Sequence, residues 1–457
     1  MENPSQETPA INIRTPQKKE RLMSLDVFRG LTIAGMVLVN NPGTWSAIFG
    51  PLKHAEWHGI TPTDYIFPFF LFIVGVAIPL SLSAKESAAA DKPYRRIFLR
   101  SIAIFLSGIA ISALPLFVIN ETNIHWFPKW IAVFALIAAL FFLYLRRYGI
   151  AAILAGIWAL ILLISYLTGT AIVWYNPATM RIPGVLQRIA VCYLLASLIF
   201  LRTNWRQQAV ITVAVLIGYW MLMTLIPVPG CEVWSIDDKA CNLAAWLDRA
   251  ILTESHMWRA SKVFDPEGIL STLPALATTL FGVMTGSRLT KEAGSDNSKT
   301  EYDKQETKLA RCCGLFFAGA VLLAVGWSWS LVFPLNKSLW TSSYAVYTAG
   351  LALLTLAVCY YLVDIKSYKK PAKPFVVFGV NALALFVFSG IMARLLGIIK
   401  LNGPDGREIS LQQWIFSNLF LPIADPINAS LMYAISFLGF WYLLMWLLYR
   451  RRIYLKV

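Results

Sequence analysis

The sequence predicts an all-α fold, a polytopic transmembrane helix bundle of about twelve spans with its N- and C-termini cytoplasmic. Three observations carry this. Hydrophobic residues make up 57% of the chain and charged residues 14%, against about a quarter charged in an ordinary soluble domain. The apolar residues fall in stretches long enough to cross a hydrocarbon core roughly 30 Å thick, which takes about 20 helical residues. The basic residues are also unevenly shared between alternate loops. On the side of the termini lie 28 of the 40 Lys and Arg, with 12 on the other side, while the 25 acids divide 12 and 13. An asymmetry confined to Lys and Arg is the signature of cytoplasmic loops.

Residues 1–21 are polar and lack the apolar core of a signal peptide, so the first span, 24–42, is expected to remain as an anchor. The second, 63–84, opens on Thr61, Pro62, Thr63 and Asp64, residue types that start helices. A third follows at 97–118. The pair 129–145 and 149–167 is separated by little more than Arg146 and Arg147. Spans at 184–202 and 208–227 lead into the longest outside loop, 228–268. Next come 269–288, a charged cytoplasmic loop over 289–311 that reads as a solvated linker, and spans at 313–333, 343–364, 375–398 and 427–450. The apolar stretch at 414–421 is too short to span and is placed in the interface. Runs such as 97–118 and 431–448 are apolar almost throughout, which excludes the alternating pattern of an outer-membrane barrel. Within the hydrocarbon each backbone polar group must be satisfied internally, so the spans are helices. The organisation is a single membrane domain over 24–450 between cytoplasmic tails 1–23 and 451–457. No internal repeat is evident. The expected location is a bacterial inner membrane.

The net charge of +15 is mostly a topology signal. The basic residues are scattered over short loops, so nucleic acid is not an expected partner. Arg146 with Arg147, Lys369 with Lys370, and 450–452 read as lipid-headgroup contacts. Of six cysteines, only Cys231 and Cys241 fall in an outside loop, where oxidising conditions favour a disulfide. They lack the CxxC spacing of a metal site.

All four histidines, His54, His58, His125 and His256, map to outside loops, as do Asp64, Asp265 and Glu267 at the outer ends of spans. Titratable groups collected at the edge of an apolar bundle point to a substrate site. The densest segment is KHAEWHGITPTDYIFPFF, 53–70. Asp64 there reads either as a helix cap or as a substrate-binding carboxylate. His54 and His58 stand four apart, but Gly59 and two prolines argue for a loop, and no metal is expected. A histidine in such a loop can act as a general base near neutral pH.

The segment RLMSLDVFRGLTIAGMVLVNNPG (21–43) resembles the start of the membrane acyltransferases related to heparan-α-glucosaminide N-acetyltransferase. KHAEWHGITPTDYIFPFFLFIVG (53–75) resembles that family's H-A-x-W-x-G-x-T-x-x-D motif. RIPGVLQRIA (181–190), FDPEGILSTLPA (264–275), FPLNKSLWTSSY (333–344) and FVVFGVNALALFVFSG (375–390) are similar to further family segments, in order. The resemblance implies an acetyl-CoA-dependent N-acetyltransferase that passes the acetyl group across the membrane to an amino sugar or other glycan acceptor. It carries a catalytic role to His54, as base or acetyl carrier, and to Asn40 at the end of the first span, as an oxyanion donor. His58 fills a variable slot of the motif and receives no role.

Around these, Asp265 or Glu267 is expected to orient His54 or hold the cationic amine, against a reading as helix-start electrostatics. Arg181 and Arg188 are expected to hold the acceptor, or one of them to pair with Asp265. Arg29 is a candidate for CoA phosphate against ordinary snorkelling to headgroups. Asn381 either bonds a neighbouring helix or faces the cofactor passage. The expected partners are acetyl-CoA, the acceptor, membrane lipid and, as a homodimer, a second copy of the chain. The rival class is a multi-span transporter of a sugar or small anion, which would show repeats and broken helices near the bilayer centre.

Overall fold

The computed structural model describes residues 22–82, 93–293, 301–403 and 406–455. Most of the expected tail 1–23, part of the expected loop 289–311 and the end of the tail 451–457 lie outside the described residues.

Each of the twelve predicted stretches is helical. The first seven are α1 (Met23–Asn40), α2 (Ile66–Leu82), α3 (Pro93–Ala113), α4 (Trp126–Tyr144), α5 (Tyr148–Leu167), α6 (Val185–Arg202) and α7 (Trp205–Leu225). A short helix, α8 (Leu243–Leu252), interrupts the long loop before α9 (Thr272–Ala293), α10 (Glu301–Trp329) and α11 (Ser342–Tyr360). Then follow α12 (Lys369–Val380), α13 (Ala382–Ile398), the one-turn α14 (Leu411–Ile415) and α15 (Pro426–Arg450). Among the described residues the only paired strands are Lys400–Asn402 and Glu408–Ser410, a small antiparallel hairpin.

Among the described residues ten helices are long and apolar enough to cross a membrane, and the chain is an integral membrane protein. The stretch expected as one continuous span at 375–398 is instead two helices, α12 and α13, meeting at 68°. The joint is Asn381, whose amide nitrogen donates to the Ile453 carbonyl (3.2 Å) and whose oxygen accepts from the Leu455 N–H (2.8 Å). The C-terminal segment thus satisfies a side-chain amide that would otherwise be left bare in an apolar bundle.

Helix α9 matches the remaining stretch, 269–288. It lacks the apolarity of the other ten because protein, not lipid, surrounds it. Ala275, Ala277, Leu280, Val283 and the hydroxyls of Thr278 and Thr279 are all buried. It crosses α2 at backbone contact. A Cβ on Gly75 would stand 2.0 Å from the Thr279 carbonyl oxygen, and one on Gly282 2.1 Å from that of Phe72. Small residues at such a crossing allow the close approach that drives helix packing where water supplies no hydrophobic force. The α4–α5 pair is the opposite case, with Phe134, Ile153, Leu160 and Leu163 exposed along its outer faces.

The loops at one end of the bundle interlock. Gly59 N–H donates to Leu335 O (2.8 Å), Ile182 N–H to His256 O (3.0 Å) and Val118 N–H to Val173 O (2.8 Å). Trp57 Nε1–H donates to Ile236 O at 2.9 Å. Cys231 and Cys241 are joined by a disulfide with their Cα atoms 5.9 Å apart.

Candidate active site at one end of the bundle

The turn Pro62–Tyr65 that opens α2 is fixed by a capping box. Asp64 Oδ2 accepts from Thr61 N–H (3.0 Å), Thr61 Oγ1 (3.0 Å) and Ala55 N–H (3.2 Å). A carboxylate that receives three donors on one oxygen is locked in place, and its other oxygen is left to His54. His54 Nδ1–H donates to Asp64 Oδ1 at 2.6 Å. Asp64 is 1% exposed while the His54 side chain is 46% exposed, so the acid lies behind the imidazole and the imidazole faces outward. Fixing the proton on Nδ1 leaves the Nε2 lone pair as the reactive position. The cap and the functional reading of Asp64 are therefore one arrangement, and the carboxylate sits behind His54 rather than out on the surface.

A third group completes the cluster. Lys337 Nζ lies 3.0 Å from both ring nitrogens of His54 and 3.8 Å from Asp64 Oδ1. A point equally near both nitrogens lies off the axis of the Nε2 lone pair, so the ammonium stands beside the ring without taking that lone pair. Burial lowers the Lys337 pKa, against the pull of Asp64 and Glu267. Lys337 is delivered by the loop between α10 and α11. Further along the same segment Tyr344 donates its hydroxyl to the Asp64 carbonyl (2.6 Å). Asn336 Oδ1 accepts from Leu339 N–H (2.9 Å), which closes the turn.

A second ionic cluster stands beside the first. Arg181 Nε and Nη2 grip both oxygens of Asp265 at 2.9 and 2.6 Å, and Nη2 also donates to Glu267. Burial works against the Arg181 charge, but Glu267 and Asp265 outweigh it and hold the guanidinium protonated. Arg188, 3% exposed, donates to Gly268 O at 3.0 Å and to Ser271 Oγ, and lies over the Trp340 ring, 5.3 Å from its centroid. Its Nε and Nη1 are buried with no partner among the described residues. Behind both arginines the carboxylate of Asp248, on α8, accepts from Asp265 N–H (3.3 Å) and Ile269 N–H (2.9 Å). Burial pushes the Asp248 carboxyl up to about 6 despite those donors.

The other sequence candidates make different contacts. Asn40 is exposed at the last turn of α1, and the residue that bonds there is Asn41, whose amide donates to Val37 O at 2.7 Å. Asp265 and Glu267 are engaged by Arg181, so Asp64, not either of these, is hydrogen-bonded to His54. Arg29 lies 3.2 Å from Asp26, one turn earlier in α1. Asn381 is occupied by the C-terminal segment. His58 leans away from His54, its Nε2 2.8 Å from Asp237 Oδ1. Lys337 and Asp248 were missed in the sequence. Lys337 stands inside the quoted FPLNKSLWTSSY segment, but a loop lysine reads first as a topology charge. Asp248 is a single acid in LAAWLDRAIL, where periodicity reports only the apolar face.

Comparison with known proteins supports the resemblance read from the motifs. Residues 21–177 match the family model described as "Heparan-alpha-glucosaminide N-acetyltransferase, catalytic". The chain is 25% identical to the human protein named heparan-alpha-glucosaminide N-acetyltransferase over 96% of its own length and 60% of that protein. It is 25% identical to the mouse protein of the same name over 80% of its length and 53% of that protein. The chain thus spans somewhat over half the length of these curated relatives.

Proposed function

We propose that this protein is a transmembrane acetyltransferase that moves an acetyl group from cytoplasmic acetyl-CoA to the amine of an amino sugar or related glycan on the opposite face. One observation carries the reading beyond resemblance. His54 is oriented by a buried carboxylate, keeps its side chain half-exposed, and has a lysine ammonium beside the ring.

Acyl transfer to an amine needs the neutral amine, because a protonated one has no lone pair. In a ternary complex the His54 Nε2 takes the proton as nitrogen attacks the thioester carbonyl, and CoA leaves as its thiolate. The carrier route instead has Nε2 attack the carbonyl, with CoA thiolate leaving and the acetyl group passing from imidazole to amine in a second step. Asp64 serves both routes by stabilising the imidazole as positive charge builds on it. Lys337 supplies positive charge where the tetrahedral oxyanion forms, and Asn40 is a neutral donor close by in sequence. The acceptor is held by Glu267, with the buried Arg188 adding positive charge behind it. Arg29, near the opposite end of α1, is placed to meet CoA phosphates.

The test is acetyl-CoA consumption by the purified protein with a panel of amino sugars, repeated in sealed, oriented vesicles. Turnover with acetyl-CoA and acceptor on opposite sides is expected. Turnover only when both are supplied on the His54 side retains the chemistry and rejects transfer across the membrane. The transporter reading draws on the break at Asn381. It predicts instead acceptor uptake with no acetylated product.

A further inference from the structure

A separate cavity of about 400 Å³ opens at the same end of the bundle, between the α3–α4 loop, the α5–α6 loop, the segment after α8 and the end of α13. Its size falls in the usual range for a small-molecule site, about 300–1,000 Å³. Its walls are fixed. Val118 N–H donates to Val173 O (2.8 Å) and Tyr175 N–H to Leu116 O (3.0 Å), which ties the two loops into a short ladder. Asn120 Nδ2–H donates to Ile398 O (3.1 Å), which pins them to α13.

The lining pairs cationic with aromatic groups. Arg394 Nη1 donates to Ile111 O at 3.0 Å, and its guanidinium lies 5.7 Å from the Tyr175 ring centroid. Arg259 shares the cavity and has no hydrogen bond or ion pair among the described residues. Glu121 is the one carboxylate on the wall against these two arginines. Trp174 is a half-exposed indole on the same wall. Two guanidinium groups facing one space repel each other unless an anion lies between them, and a guanidinium fork matches carboxylate and phosphate oxygens. A flat indole beside such a fork offers the apolar face that a sugar ring covers. The cavity wall runs through Thr179 to Arg181, two residues on. Two residues of chain span at most about 7 Å, so the cavity borders the Arg181–Asp265–Glu267 cluster. His256 secures the join, with its Nδ1 2.8 Å from Met180 O.

We propose that this cavity is a second saccharide subsite that takes a sugar ring bearing a carboxylate or phosphate, with Arg259 and Arg394 on the anion and Trp174 on the ring face. It would hold an acidic unit of an extended acceptor while a neighbouring unit reaches His54, and in that respect it rests on the acetyltransferase reading.

Binding tests it independently of turnover. The full chain in detergent is titrated calorimetrically with glucuronic acid, glucose 6-phosphate, glucose and inorganic phosphate. The two acidic sugars are expected to bind, with glucose about tenfold weaker or more, the usual worth of a hydrogen bond to a charged group. Arg259→Ala, at an exposed side chain, is expected to weaken the acidic sugars by about tenfold. Trp174→Ala is expected to weaken them several-fold and His54→Ala to leave them unchanged. Equal binding of glucose and glucuronic acid would overturn the proposal. So would acidic-sugar binding indifferent to Arg259→Ala, or phosphate binding as tightly as glucose 6-phosphate, which would mark a headgroup or free-anion site. Sugar binding without acetyl transfer would sink the acetyltransferase reading alone. Acetyl transfer without sugar binding would sink the subsite alone.

Discussion

His54 with Asp64, and Arg181 with Asp265, stand at the same end of the bundle, and each joins a basic side chain to a buried carboxylate at 2.6 Å. In the first pair the carboxylate is spent on backbone donors and the imidazole presents a free nitrogen outward. In the second the guanidinium is closed in by two carboxylates, and Asp248 holds their loop from behind by accepting from the Asp265 and Ile269 N–H groups. The first arrangement leaves a reactive atom open. The second commits its guanidinium to two carboxylates and fixes a loop. Residue type and proximity are alike in the two clusters; what separates them is whether one member keeps an unoccupied lone pair in reach of solvent.

The sharpest way to break that contrast is at the first pair. His54→Ala is expected to lower acetyl transfer by about 10²–10⁴-fold, the range for removal of a general base, with thermal unfolding close to that of the parent chain. Asp64→Asn is expected to fall in the same range, since an oriented base without its carboxylate presents the wrong tautomer. Near-normal acetyl-CoA consumption by either well-folded variant would remove the dyad from the mechanism.

Arg181→Ala should act on the fold first. It strands two buried carboxylates, and breaking such a pair costs about 3–5 kcal/mol. Removing those charges too, in Arg181→Ala with Asp265→Asn and Glu267→Gln, should recover much of the thermal stability. Recovery of stability together with full activity would assign the cluster a purely structural role. Recovered stability without activity would place it on the acceptor. Lys337→Met is expected to reduce turnover by about 10²-fold or more, as for loss of an oxyanion donor, with Lys337→Arg partly active. Equal activity in all three proteins would exclude the ammonium from the reaction.

A smaller effect sharpens the second pair. The Asp248 carboxyl titrates near 6 in the fold, above its ordinary value. Its favourable contribution is therefore complete below about pH 4 and lost as pH rises through about 6, on the order of 2–3 kcal/mol in all. Thermal unfolding of the parent chain, relative to Asp248→Asn, should accordingly weaken between pH 4 and 7. A constant difference across that range would show that the buried acid does not titrate. The smallest effect is expected at His58, whose Asp237 partner is solvent-exposed. His58→Ala should change turnover only a few-fold, in the range of a surface ion pair. A loss equal to that of His54→Ala would restore a role for the histidine pair.

The helical content and the positions of the spans were legible because lipid imposes long apolar runs on whatever faces it. Most of Phe134, Ile153 and their neighbours on α4 and α5 needed nothing more than hydropathy. The bend at Asn381 was not legible, because the groups that stabilise it come from residues more than 70 positions away. His54 stood out through its motif and its loop, and Asp64 through its cap. Their hydrogen bond depends on how the 53–61 loop closes, which no periodicity records. Lys337 reaches His54 across 283 positions, and a pattern read locally has no access to such a pairing. Arg181 with Asp265 was among the options offered by the sequence, since opposite charges at the outer ends of two spans need partners. The identity of the acid behind His54 needed coordinates.

Helix α9 bears on how the whole chain threads the membrane. Enclosed by its neighbours, it carries threonines and glycines that leave it less apolar than the ten helices that are plainly apolar enough to cross. Each crossing reverses the side on which the next loop emerges. Leaving α9 out of the count would send the α10–α11 loop to the wrong side, on the far end from the α1–α2 loop. The 3.0 Å approach of Lys337 to His54 requires those two loops to emerge together. A single side-chain contact therefore acts as a check on the parity of the intervening passes, and a reporter at residue 337 that mapped opposite one at residue 54 would rule out both the contact and the count.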